Sequence, residues 1–118
     1  MPKATLYHNP RCSKSREALA FLDQHFEQLD VIEYLKSPLN KAQLSALYSA
    51  LNLQSAQQMI RPKEAEYKLA NLTQDSSDDE ILNALEQYPK LLERPILQYG
   101  SKAAIGRPLD HIVSLLHA

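Results

Sequence analysis

One cysteine, Cys12, stands in a chain of 118 residues. That scarcity excludes an internal disulfide, a cysteine-rich zinc site and a two-thiol redox pair within the chain. Any redox chemistry at Cys12 must draw its second thiol from another molecule. Long apolar runs are also missing: none approaches the roughly 20 residues of a membrane-spanning helix. The N-terminal MPKATLYH is too short and too polar to read as a secretory signal. An excess of basic charge is absent too, since the net charge is −1, so no global field invites nucleic acid. No repeat and no low-complexity segment stands out. The expectation is a cytoplasmic protein with no membrane or nucleic-acid partner. What is present, 44% hydrophobic and 23% charged residues, suits a single soluble domain over 1–118. No apolar stripe is left over once the core is assigned, so a monomer is expected.

Along the chain, Ala4-Thr5-Leu6-Tyr7 reads as a short strand that Asn9-Pro10 ends near His8. A helical pattern begins at Ser13, with Leu19, Leu22 and Phe26 on one face. Val31 to Leu35 is a second strand, closed by Ser37-Pro38. Asn40 with Gln43, and Ser77 with Glu80, are capping-box pairs that open two helices. The first carries Leu44, Leu47, Tyr48 and Leu51, the second Ile81, Leu85 and Tyr88, and a shorter helix is expected around Ala56 to Ile60. The acidic stretch Asp75 to Glu80 is a solvated helix start that complements the macrodipole. Leu92 to Tyr99 reads as a strand carrying Pro95, and Ala103 to Ile105 as its partner across Gly100-Ser101. Pro108 suits the first position of a last helix that buries Leu109, Ile112, Val113 and Leu116. The order is β-α-β, several helices, then β-β-α. This is an α/β, thioredoxin-like layout with a mixed sheet and a helical insertion over about 40–88.

Cys12 falls where the first strand hands over to a helix. Unpaired N–H groups and the positive end of the helix dipole stabilise a thiolate there, and Arg11, Lys14 and Arg16 add positive charge. The thiolate is the nucleophilic form. A buried, inert thiol is the competing reading, but the apolar stripe starts only after Cys12. The spacing Cys12-x-x-Ser15 puts serine where a dithiol enzyme has its second cysteine. Serine can hydrogen-bond a thiolate but cannot form a disulfide, which points to monothiol chemistry. A cysteine phosphatase needs arginine after five intervening residues; here that position is Ala18. His8, four residues before Cys12, is a candidate base or cationic stabiliser, or else a polar strand-end residue. His25, His111 and His117 read as helix-surface residues, and no ligand cluster suggests a metal.

Arg61, Arg94 and Arg107 are distant in sequence, and each borders a proline at an element boundary. A planar guanidinium suits a tetrahedral oxyanion through paired hydrogen bonds. In a thioredoxin-like layout, Arg94-Pro95 lies in the loop before the third strand, beside the Cys12 helix start, with the peptide expected cis.

His8-Asn9-Pro10-Arg11-Cys12-Ser13-Lys14-Ser15-Arg16, together with Arg61, Glu93-Arg94-Pro95-Ile96 and Gly106-Arg107-Pro108, resembles the glutaredoxin-coupled arsenate reductase (ArsC) family, in particular its short YfgD-like branch. The resemblance covers nearly the whole chain. It implies a thioredoxin-like fold with a helical insertion. It implies that Cys12 attacks arsenate, that glutathione attacks the adduct, and that arsenic is reduced as a mixed disulfide forms. Glutaredoxin with further glutathione then resets the enzyme. By the same resemblance, Arg61, Arg94 and Arg107 hold the oxyanion, and His8 and Ser15 tune the cysteine. No metal and no bound cofactor is implied; glutathione is a co-substrate and glutaredoxin a partner. The chain departs from the pattern at Ser13-Lys14, where established reductases often carry Gly-Thr, and it ends at Ala118 without the C-terminal extension of longer members. Two alternatives share the architecture. One is an Spx-like regulator, whose usual two-cysteine switch Ser15 makes impossible. The other is a monothiol, glutathione-dependent protein acting on another substrate, or carrying an iron–sulfur cluster, for which Gly-Phe is usual between Cys and Ser.

Overall fold

A computed structural model of the chain describes residues 3–117. Its strands are β1 (Ala4–His8), β2 (Asp30–Glu33), β3 (Ile96–Tyr99) and β4 (Lys102–Ile105). Its helices are α1 (Ser13–His25), α2 (Lys41–Leu51), α3 (Ala65–Leu69), α4 (Asp78–Gln87) and α5 (Asp110–Leu116), with 3-10 turns at Ala56–Met59 and Pro89–Leu91. The sheet order is β2-β1-β3-β4. β1 and β2 are parallel, while β3 runs antiparallel to both β1 and β4. This is the thioredoxin-like mixed sheet. No described helix is long and apolar enough to cross a membrane.

The sheet is covered on both faces, and its residues alternate accordingly. Leu6 and Leu97 pack with Ala18, Leu22 and Ile112 under α1 and α5. Ile96 and Ala103 face the other way, into a larger cluster with Leu44, Leu47, Ile81 and Leu85 of α2 and α4. On α1 the deepest line is Ser15, Ala18 and Leu22, each fully buried, whereas Leu19 and Phe26 are half-buried. The small residues Ser15 and Ala18 let the Cys12 end of the helix lie close against the sheet, a feature that apolar periodicity does not register.

Both capping boxes form. Asn40 accepts from the Gln43 amide at 2.8 Å, and Ser77 from that of Glu80 at 3.1 Å. Each helix thus starts where its local sequence says it must. Helix α3 was not expected: it buries no residue, so it leaves no apolar stripe to read.

Three boundaries differ from the sequence expectation. β2 stops at Glu33, whose carbonyl accepts from the amides of Lys36 and Ser37, and Tyr34 turns into the core. β3 starts at Ile96 rather than Leu92, because Pro95 has no N–H to give a ladder. Leu92 instead makes a separate bridge to Ile60, with Arg61 N–H on Leu91 O and Glu93 N–H on Met59 O. Pro108 is not the first helical residue. The last helix begins at Asp110, and the preceding Gly106-Arg107-Pro108 is held against the loop before β3, with the Gly106 amide on Pro95 O at 2.8 Å. The Arg94-Pro95 peptide is cis, as expected, and so is Arg107-Pro108.

Gly106 makes that approach possible. A Cβ there would lie 2.9 Å from the Pro95 ring and 2.6 Å from Ile112 Cδ1, and Ile112 is fully buried. Gly106→Ala is expected to destabilise the protein by about 1–3 kcal/mol through overpacking. The check is a urea titration, in which the midpoint should fall with an unchanged slope.

Candidate active site

β1 ends at His8, and the loop that follows is tied by its own polar groups. The Cys12 amide donates to Asn9 O at 3.0 Å, and the Asn9 side chain accepts from the Arg11 amide at 3.0 Å. Cys12 is thereby set as the N-cap residue of α1, in extended conformation, with its carbonyl accepting from the Arg16 amide. Its thiol is half-buried and faces the free N–H groups of the first turn. Burial alone would raise the thiol pKa. The backbone amide of Ser15, the Arg94 side chain, the Arg107 charge and the Lys14 amide outweigh it, so the thiol titrates below its ordinary value. The leading charges come from across the fold; neighbouring Arg16 turns away, donating to Pro10 O at 3.0 Å.

His8 and Ser15 meet each other behind the thiol. His8 Nδ1 lies 2.7 Å from Ser15 Oγ, and that oxygen accepts from the Asn9 amide at 3.0 Å. Its own proton is then free to be given to Nδ1. Both residues are buried, so the pair braces the strand–loop–helix junction. What reaches Cys12 from Ser15 is the backbone amide rather than the hydroxyl. Burial lowers the His8 pKa; the Glu33 charge opposes it, and the lesser effect of the Arg16 charge adds to it. His8 is therefore neutral near pH 7.

A folded-state pKa below the unfolded value means that the unfolded chain binds the extra proton. The stability His8 protects is fully present above its ordinary pKa and is lost as pH falls through the lower, folded value. His8→Gln is expected to flatten the acid side of the stability curve below about pH 6.5. Urea unfolding at several pH values checks this; parallel acid slopes for the two proteins would count against it.

The three arginines converge on one place. Arg107 donates from Nη2 to Cys12 Sγ at 3.1 Å and from Nε to Arg94 O at 2.6 Å. The organising groups are two carboxylates. Glu93 Oε1 accepts from Arg61 Nη1 at 3.0 Å and from the Arg94 amide at 3.3 Å, and lies in ion-pair contact 3.2 Å from Arg107 Nε. Glu64 Oε1 lies 3.4 Å from Arg61 Nε and 3.7 Å from Arg94 Nη2. The Ile60–Leu92 bridge puts Arg61 and Glu93 side by side, so the irregular segment before β3 is what assembles the cluster.

Sequence reading did not single out Glu64 and Glu93 for a role, although their positions three residues after Arg61 and next to Arg94 were a local signal. It also passed over Tyr34. This residue is buried, and burial, with the Cys12 charge adding to it against the opposing charges of Arg94 and Arg61, pushes its pKa up to about 12. Its hydroxyl and Arg94 Nε are the buried side-chain nitrogen and oxygen atoms left without a partner among the described residues. The Asn9 side chain lies near the hydroxyl but out of hydrogen-bonding alignment.

Cys12 and the arginines line a groove of about 650 Å³ that also takes in Arg11, Lys36 and Lys90. A thiolate with guanidinium donors beside it is equipped to hold a tetrahedral oxyanion and attack its central atom.

Fold and site together define a thioredoxin-like protein with a lone activated cysteine under an arginine cluster. The chain belongs to the ArsC family, whose match spans residues 7–115. It is 42% identical over 117 residues to the arsenate reductase of Neisseria meningitidis, covering 98% of this chain and 100% of that one. It is 41% identical over 112 residues to the uncharacterized protein YfgD of Escherichia coli, covering 94% of each. Among solved structures, the arsenate reductase from Vibrio cholerae superposes with a TM-score of 0.89 at 39% identity, over 96% of this chain and 97% of that one.

Proposed function

We propose that the protein reduces arsenate to arsenite with glutathione as reductant and glutaredoxin as the resetting partner. The observation that carries this reading is the 3.1 Å contact from Arg107 Nη2 to Cys12 Sγ inside the arginine cluster. It joins nucleophile and anion donors in one site. Arg61, Arg94 and Arg107 bind the arsenate oxygens. The Cys12 thiolate attacks arsenic, a sulfur–arsenic bond forms, and one oxygen leaves as water after taking up protons. A glutathione thiolate then attacks the adduct. A sulfur–sulfur bond forms between Cys12 and glutathione, and the sulfur–arsenic electron pair stays on arsenic, which passes from As(V) to As(III). Glutaredoxin and a second glutathione reduce the mixed disulfide. His8 and Ser15 act on Cys12 by fixing the loop and the first turn of α1. No resident metal or organic cofactor takes part. The dependence on reduced glutathione places the reaction in the cytoplasm.

The test is NADPH oxidation coupled through glutathione reductase, with arsenate, glutathione and glutaredoxin present. Turnover should require all three. A protein whose Cys12 is alkylated readily at neutral pH but which shows no arsenate-dependent turnover would remove arsenate as the substrate.

A further inference from the structure

The groove beside Cys12 is larger than its arginine cluster needs. At about 650 Å³ it has room for an organic ligand beside a tetrahedral ion. Its charges fall into two sets. Arg61, Arg94 and Arg107 are tied to Glu64 and Glu93 around the thiol. Arg11, Lys36 and Lys90 line the remainder with Leu35, which is 38% exposed, and with one carboxylate, Glu33, so the charge there is net positive. Lys36 meets Glu33 at 3.4 Å in an exposed pair, a contact of little strength. Arg11 and Lys90 have no carboxylate within ion-pair distance among the described residues.

A chain with one cysteine must receive its second thiol from outside, and that thiol must reach Cys12 through this groove. We infer that Arg11, Lys36 and Lys90 form a separate subsite for the thiol co-substrate. They read the carboxylates of a small anionic peptide thiol and lay its sulfur toward Cys12. The inference rests on the reductase reading for the identity of the thiol, but its test does not need arsenate.

Oxidised glutathione exchanges with Cys12 by a balanced step. The thiolate attacks one sulfur of the disulfide, a bond forms between Cys12 and that glutathione, and the other glutathione leaves as a thiolate. The neutral bis(2-hydroxyethyl) disulfide reacts in the same way and carries no charge for the subsite to read. The measurement is the ratio of the two exchange rates, which cancels changes in thiol reactivity. In the variant Lys36→Glu/Lys90→Glu the ratio should fall about tenfold, and added salt should shrink the difference. The control Lys68→Glu/Lys102→Glu changes net charge equally at exposed positions outside the groove and should leave the ratio near the native value. An unchanged ratio in the groove variant, or an equal fall in the control, overturns the subsite. If the ratio falls as expected but the native protein shows no arsenate turnover, the subsite stands and the oxyanion reading fails. If arsenate turnover is normal and the ratio does not move, the subsite alone fails.

Discussion

Cys12→Ser is expected to abolish arsenate-dependent NADPH oxidation, with a loss of about 10⁴-fold or more, as for the removal of other catalytic nucleophiles. No residue can substitute, because the chain holds no second thiol. A serine hydroxyl in the same place meets the same amides and guanidinium but does not ionise near neutral pH. The fold should survive, since Cys12 is only half-buried and contributes no side-chain cap hydrogen bond to α1. Two measurements separate chemistry from structure. Native Cys12 should react with iodoacetamide along a pH curve centred below the ordinary thiol range, following its lowered pKa. The stability difference between native and variant should also depend on pH. A thiol whose folded pKa is depressed adds stability as pH rises through that value, and the full amount is present only above the ordinary thiol pKa. The native protein should therefore gain on Cys12→Ser from mildly acidic to alkaline pH, read from urea midpoints. Residual turnover in the variant close to native would sink the nucleophile assignment.

The legible parts of this fold are those governed by neighbours in sequence. Asn40 and Gln43, or Ser77 and Glu80, satisfy each other across one helical turn, so the start of each helix is written in four consecutive residues. The placement of Cys12 at a helix start is equally local, because Asn9-Pro10 ends β1 and leaves the thiol at the first turn. The convergence of Arg61, Arg94 and Arg107 was open to inference only through the fold, since their contacts cross 32 and 95 residues of chain. The acids that orient them are only partly hidden: Glu64 lies three residues after Arg61, whereas the pairing of Glu93 with Arg61 spans 32 residues. Glu93 earns its place from a bridge between Ile60 and Leu92 that no periodicity announces. His8 and Ser15 are visible as candidates, but their bond to each other and the Ser15 backbone amide that faces the thiol depend on how the loop folds. Pro108 suits a helix start because its ring permits that role; the bonds of Gly106 to Pro95 O and of Arg107 to Arg94 O instead tie the segment to the loop before β3, and the helix begins at Asp110.

Removing the carboxylate of Glu93 should do the greatest damage after removing the thiol. Three guanidinium groups in one groove repel each other, and each needs an acceptor to fix its plane. Glu93 Oε1 accepts from Arg61 and from the Arg94 amide, and it forms an ion pair with Arg107, whose Nε–H goes to Arg94 O. In Glu93→Ala, Glu64 alone faces the cluster, and Arg61 and Arg107 lose a shared anchor. Hydrogen bonds to charged groups are worth about 1.5–3 kcal/mol each, so kcat/KM for arsenate should fall by roughly 10–100-fold, mostly through KM. Glu93→Gln separates orientation from charge. Its amide oxygen keeps an acceptor in place, so the loss in kcat/KM should be smaller than for alanine. Its missing negative charge should lower the thiol pKa below the native value, shifting the iodoacetamide curve to more acidic pH. A purely structural role for the Glu93 side chain predicts a lower unfolding midpoint with neither change, the main-chain bond from the Glu93 amide to Met59 O being kept in both variants. If both variants keep the native KM and the native alkylation curve, the arginines hold themselves in place and Glu93 is not their positioning residue. If both variants shift the curve to more acidic pH while the alanine variant raises KM more than the glutamine variant, the carboxylate has two separable effects: its oxygen aims the guanidinium groups at the oxyanion, and its charge limits how strongly they stabilise the thiolate.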